Sequence, residues 1–143
     1  AFDGDRVMAV FIGGVKNTSA AKAGLKINYA VLKIINEEIA SRYSKDPYQM
    51  RHCVGIDTSD LFVAKTGIRG SNDLVWVGRA ANYAAKMCSL RNGNYATWIT
   101  KDVYDMLKDE AKNGGEPKRS MWESFTWTAY SASVYASTWH WKP

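Results

Sequence analysis

Val75-Trp76-Val77-Gly78-Arg79-Ala80-Ala81-Asn82-Tyr83-Ala84-Ala85-Lys86-Met87 is the stretch on which the reading of this chain turns. An apolar run at 74–77 reads as a short buried strand, a glycine breaks it, and an alanine-rich helix follows to about residue 91. Asn92-Gly93 ends that helix. Asn82 and Lys86 stand four apart, so they share one face of it. An amide beside a cation can hold a sugar oxygen and a developing phosphate charge. Read alone, the same pair is an ordinary solvated face.

Working outward, residues 6–12 alternate like a strand and Gly13-Gly14 closes it. Thr18 or Ser19 is placed to cap a long helix to about Ser44, with Leu25, Val31, Leu32, Ile35 and Ile39 as its apolar stripe. Residues 50–56 and 61–67 read as a hairpin around Asp57-Thr58-Ser59-Asp60, and Gly70-Ser71-Asn72 as a turn. Downstream, 96–99 is a strand and Thr100 caps a third helix to about Lys112. Two aromatic strands, roughly 122–130 and 133–141, finish the chain. Long helices alternating with an antiparallel-rich sheet predict an α+β sandwich, not a doubly wound parallel sheet. Asp3-Gly4 ahead of the first strand is a hairpin signal with no strand before it, so residues 1–143 read as one partial domain that begins inside a fold.

Composition narrows the function classes. The chain has 143 residues, one domain with room for a core. A net charge of +5 suits a polyanionic partner, but the basic residues are scattered, with no recognition motif for nucleic acid. No apolar run is long enough to span a bilayer and no signal peptide is evident, which points to the cytoplasm and away from membranes. Cys53 and Cys88 lie in apolar segments with no metal-ligand spacing and read as buried thiols. His52 and His140 lie in strand-like segments and read as structural, while the Asn17-Thr18-Ser19 sequon has no meaning in a cytoplasmic chain. There is no P-loop, His-Glu-x-x-His, paired CxxC or Gly-x-Ser-x-Gly. Asp3-Gly4-Asp5-Arg6-Val7-Met8-Ala9-Val10-Phe11 puts a carboxylate at a hairpin tip, where Mg²⁺ finds one or two carboxylates and leaves positions for phosphate oxygens. By composition alone, Asp5 is a plain turn aspartate.

Gly-Asp before an apolar strand, then Val54-Gly55-Ile56-Asp57-Thr58, then Trp-Val-Gly-x-x-x-Asn-x-Ala-x-Lys-Met, resembles the class III adenylate and guanylate cyclases in order and spacing. The resemblance runs from residue 2 to about 110 and implies the ferredoxin-like cyclase sandwich. It aligns Asp5 with the family's second metal-binding aspartate, Asn82 with its ribose-orienting asparagine, and Lys86 with its transition-state arginine. It also implies two Mg²⁺ or Mn²⁺ ions, a nucleoside triphosphate substrate, and a homodimer whose composite sites take metal ligands from one subunit and Asn82 and Lys86 from the other. The chain departs from the pattern in three ways: the strand bearing the first metal aspartate is not in this sequence, lysine stands for arginine at 86, and the terminal strands carry no clear triphosphate lysine. Lys65 and Arg79 are the available substitutes for that lysine.

The resemblance also bears on the base. Purine cyclases of the family read adenine with a lysine four residues before the metal aspartate and an aspartate three before the helix-opening glycine; for guanine the pair is typically glutamate and cysteine. Ala1 and Val75 occupy those positions here, and neither reads a purine edge. In its Trp-Val-Gly-Arg-Ala-Ala-Asn-Tyr-Ala-Ala-Lys segment and its tail, Val-Tyr-Ala-Ser-Thr-Trp-His-Trp, the chain resembles the bacterial pyrimidine cyclases of antiphage defence. The expected reaction is therefore UTP to cyclic UMP, with CTP and then ATP as rivals. A cyclase-like domain that only dimerises or senses a ligand is the alternative from another class. With one candidate metal carboxylate, a polypeptide beginning at Ala1 is expected to be inactive.

Overall fold

The computed structural model describes residues 2–68 and 71–143, with side chains at 4–67 and 74–143. Ala1 and Gly70, which the sequence reading singled out, lie outside the described residues, and so does the side chain of Asp3.

A four-stranded sheet organises the chain. Its order is β3 (Val54–Ile56), β6 (Thr97–Thr100), β10 (Ala132–Ser137), β9 (Glu123–Trp127). β3 runs parallel to β6, and the other two pairings are antiparallel. All four residues of the central β6 are buried, so it is covered on both faces. Alternation along β6 sends Ile99 into one core and Trp98 into another.

Ile99 packs with Ala21 and Leu25 of α1 (Lys16–Tyr29), Val103 of α4 (Lys101–Asp105) and Ala111 of α5 (Asp109–Lys112). On the other face, Trp98 packs with Trp127, Val134 and Met87 of α3 (Arg79–Met87). Helices on both faces of a mostly antiparallel sheet make the expected α+β sandwich.

Several expectations are corrected. Residues 50–56 and 61–67 form no hairpin: β4 (Phe62–Ile68) pairs instead with β5 (Ser71–Val77), while β3 goes to β6. Local alternation marks a strand but does not choose its partner. The β4–β5 ribbon stands as a separate two-stranded sheet, so Leu74, expected to be buried, is 56% exposed. Of the expected strand 6–12, the described strand is β2 (Arg6–Val7), which pairs with β1 (Phe2–Asp3).

The first long helix is made of α1, a π-helical stretch Ala30–Ile35 and α2 (Asn36–Arg42). Leu25 and Val31 of its predicted stripe are buried, whereas Leu32 and Ile35 are exposed. Thr18 does not cap it. The helix begins at Lys16, and the Thr18 hydroxyl accepts the Lys108 N–H at the start of α5, 3.0 Å away. Nor is the third helix continuous, since 101–112 divides into α4 and α5. The last two strands are shorter than read from the sequence; the 3₁₀ turn Thr128–Tyr130 separates them. The tail straps onto α1, where Asn28 Nδ2 donates to the carbonyls of Thr138 and Trp139.

Gly55 sets how α3 lies on the sheet. A Cβ there would meet the Ala84 carbonyl oxygen at 2.2 Å and Met87 Cβ at 2.9 Å. The backbone of α3 therefore rests directly against β3, and only glycine leaves room. Gly55→Ala is expected to destabilise the protein by about 3 kcal/mol in urea unfolding, the upper range for overpacking, since backbone blocks relaxation. Gly14→Ala, with nothing within 4 Å of the added methyl, should leave the midpoint in place. Equal midpoints for both variants would contradict this seating of α3.

Candidate active site

α3 buries Ala80 and Met87 and turns Asn82 and Lys86 outward. The expected shared face is therefore formed and open to solvent. Asp5 is also exposed, at the turn between β1 and β2. Among the described residues, no hydrogen bond or ion pair joins Asp5 to Asn82 or Lys86. Two of the three candidates stand on α3 and the third at the β1–β2 turn. Val75 lies on β5, opposite Ala64 of β4.

The start of α3 is fixed by a loop that sequence reasoning took for a hairpin tip. Asp57 follows β3 with its side chain wholly buried. Its Oδ1 accepts the Thr100 hydroxyl at 2.6 Å. Arg79 Nε lies 3.3 Å from Oδ2, within pairing distance but without a hydrogen bond, and Oδ2 has no other partner. The Arg79 guanidinium also donates to the Thr58 carbonyl at 2.8 Å and to Asp102 Oδ2 at 2.6 Å. The hydrogen bond to Asp102 is the main reason the Arg79 pKa is raised. Ser59 Oγ accepts the Ala80 N–H at 3.0 Å, capping α3 from outside the helix. A Cβ on Gly78 would meet Leu61 Cδ2 at 2.7 Å and the Asp60 carbonyl oxygen at 2.9 Å. Residues 57–61 form a cradle that sets the position of α3, and with it Asn82 and Lys86.

One signal in the sequence bears on this clamp. An arginine in the first turn of a helix opposes the helix dipole, so it implies an anion close by. Asp57 and Asp102 are those anions. Arg79 is thus occupied by carboxylates, which argues against the substitute phosphate role considered for it, while Lys65 is exposed on β4.

Other titratable groups stand apart. Cys53 and Cys88 are free and half-buried, and burial pushes the Cys53 thiol up to about 12, with Cys88 adding to the shift. At neutral pH that thiol is protonated and a poor nucleophile. Burial holds His52 below its ordinary value. Asn17 of the sequon is buried in α1. Among the described residues, no group of three or more His, Cys, Asp or Glu is arranged to hold a metal ion, and no helix is long and apolar enough to cross a membrane.

This arrangement matches known proteins at the level of fold. The guanylyl cyclase Cya2, a solved structure, superimposes with a TM-score of 0.67 over 92% of this chain and 62% of its own, at 14% identity. The chain therefore shares the fold of that cyclase structure. Its sequence is similar to proteins named uridylate cyclase. One from Xanthomonas perforans is 55% identical over 143 residues, 99% of this chain and 60% of the relative. One from Burkholderia cepacia is 54% identical over 99% of this chain and 59% of the relative. A third, from Rhodovulum sp. (strain MB263), is 39% identical over 100% of this chain and 62% of the relative. The chain spans about 60% of the length of these relatives. No protein-family model matches it.

Removing Arg79 leaves a buried carboxylate without its cation. Arg79→Met is expected to cost about 3 kcal/mol of stability, the low end for breaking a buried pair because Arg79 reaches solvent. Adding Asp57→Asn should recover part of that loss, since the double variant buries no unpaired charge. Strictly additive losses in urea unfolding would show that the two side chains do not interact.

Proposed function

We propose that this chain is part of the catalytic domain of a cytoplasmic nucleotidyl cyclase that converts UTP to 3′,5′-cyclic UMP and pyrophosphate. The observation that carries the reading is the outward presentation of Asn82 and Lys86 by a helix seated on Gly55 and clamped by Arg79. The likeness to proteins named uridylate cyclase supports it, and so does Val75 at a position where purine cyclases carry a base-reading polar group. Production of the cyclic nucleotide as a signal in antiphage defence follows from the resemblance to the pyrimidine cyclases of those systems.

The reaction is an intramolecular phosphoryl transfer. The ribose 3′-oxygen attacks the α-phosphorus and loses its proton, and the bond from that phosphorus to pyrophosphate breaks. Asn82 orients the ribose, through the amide it turns to solvent. Lys86 offers its ammonium to charge developing on the α-phosphate. Asp5, exposed at a tight turn, fits a hard cation that takes most of its ligands from phosphate and water. When bound there, Mg²⁺ or Mn²⁺ would neutralise the triphosphate and acidify the 3′-hydroxyl; two ions per site are proposed. The protein's own part is positioning and charge complementarity.

With equimolar UTP, CTP, ATP and GTP and Mn²⁺, the full-length enzyme is expected to form cyclic UMP fastest, as identified by mass. Faster formation of cyclic AMP would overturn the base assignment. No cyclic product from any of the four would favour the non-catalytic sensor reading.

The resemblance to the class III cyclases supports a homodimer with composite sites, one subunit supplying Asp5 as metal ligand and the other the α3 face with Asn82 and Lys86. Mixing inactive Asp5→Ala and Asn82→Ala full-length enzymes should then restore activity, because one site of each mixed dimer is intact. No recovery in a mixture proven to exchange subunits would count against shared sites.

A further inference from the structure

Lys86 stands where the family's arginine would offer a rigid, planar fork. A lysine ammonium on its flexible four-carbon stem has no such built-in direction. In this fold the direction has another source. Lys86 Nζ lies over the ring of Tyr130, 4.8 Å from its centroid. Tyr130 ends the 3₁₀ turn Thr128–Tyr130 between β9 and β10. Its ring is held by Trp127, at 4.2 Å between centroids, and by Tyr83, at 5.1 Å. Trp127 is buried in the core, and Tyr83 sits one helical turn before Lys86 on α3. The platform under the ammonium is thus tied both to the sheet and to the helix that carries the lysine.

Among the described residues Lys86 has no carboxylate partner. The contrast with Arg79 is chemical. Arg79 is balanced by two aspartates, whereas Lys86 rests on a neutral π face that orients the cation without cancelling its charge. That is the arrangement a phosphate-directed cation needs before its anion arrives.

We propose that Tyr130 is a positioning residue that aims the Lys86 ammonium, an inference that rests on the reading of Lys86 as the phosphate-directed cation. The face of the ring does this work, so the hydroxyl is dispensable.

The test uses the full-length enzyme and whichever ribonucleoside triphosphate the wild type turns over. kcat and KM are measured for Tyr130→Phe, Tyr130→Leu, Lys86→Ala and the Lys86→Ala/Tyr130→Leu double variant. Tyr130→Leu should lower kcat about 5-fold, the scale of an exposed cation–π contact, with KM little changed. Tyr130→Phe should match wild type. Lys86→Ala should lower kcat about 10²–10³-fold, as for other transition-state donors, and adding Tyr130→Leu should lower it no further. An equal Tyr130→Leu loss in both backgrounds, a Phe variant as impaired as Leu, or an unchanged Leu variant would each overturn the positioning role alone. An unchanged kcat in Lys86→Ala would instead overturn the reading of Lys86 and this inference with it. Tyr130→Met serves as a second non-aromatic replacement if leucine unfolds the hairpin.

Discussion

The closeness of α3 to β3 at Gly55 is the constraint on which the rest depends. A helix normally stands off a sheet by the thickness of its side chains. Here the Ala84 carbonyl oxygen lies 2.2 Å from where a Cβ on residue 55 would be, too close for any side chain. That contact fixes the height of α3, and its rotation follows from Ala80 and Met87 being buried. Once both are fixed, Asn82 and Lys86 can only face solvent. The site geometry is thus set by what is absent at one strand position.

Charge then fixes the remaining freedom of the helix, its position along its own axis. A buried carboxylate is costly to leave unpaired, and Asp57 has its side chain entirely out of solvent. Arg79 answers it from the first turn of α3 and also holds Thr58 and Asp102, while Ser59 caps the helix. The two cations of α3 therefore have different tasks. Arg79 is neutralised and structural. Lys86 lies over the Tyr130 ring and, under the proposed function, is the cation offered to a phosphate.

The proposed nucleotide cyclisation asks little covalent chemistry of a protein. The triphosphate brings its own leaving group, and the nucleophile is on the same molecule. What remains is orientation of a ribose, neutralisation of phosphate charge and placement of a cation. Under the proposed function, Asn82 and Lys86 on one helix face and Asp5 at a hairpin tip would meet those needs. Cys53, held protonated by burial, and His52, held below its ordinary value by burial, lie outside this set.

The sequence by itself determined what depends on neighbours a few residues apart. Alanine-rich spacing after Gly78 made α3 a helix, and the four-residue interval put Asn82 and Lys86 on one side of it. Alternation marked most of the strands, and the order of elements was enough for the α+β sandwich. The tertiary structure decided everything that needed a distant partner. β3 paired with β6 and not with β4; the apolar residue Leu74 faced solvent on a free ribbon; Thr18 accepted the Lys108 N–H just ahead of α5 in place of capping its own helix. Asp57 looked like a turn residue and became the buried anchor of the site, since its partners Arg79 and Thr100 lie 22 and 43 residues downstream. The physical reason is that periodicity reports which face of an element is apolar, whereas pairing is chosen by the summed packing and charge of segments that meet only when the chain has folded.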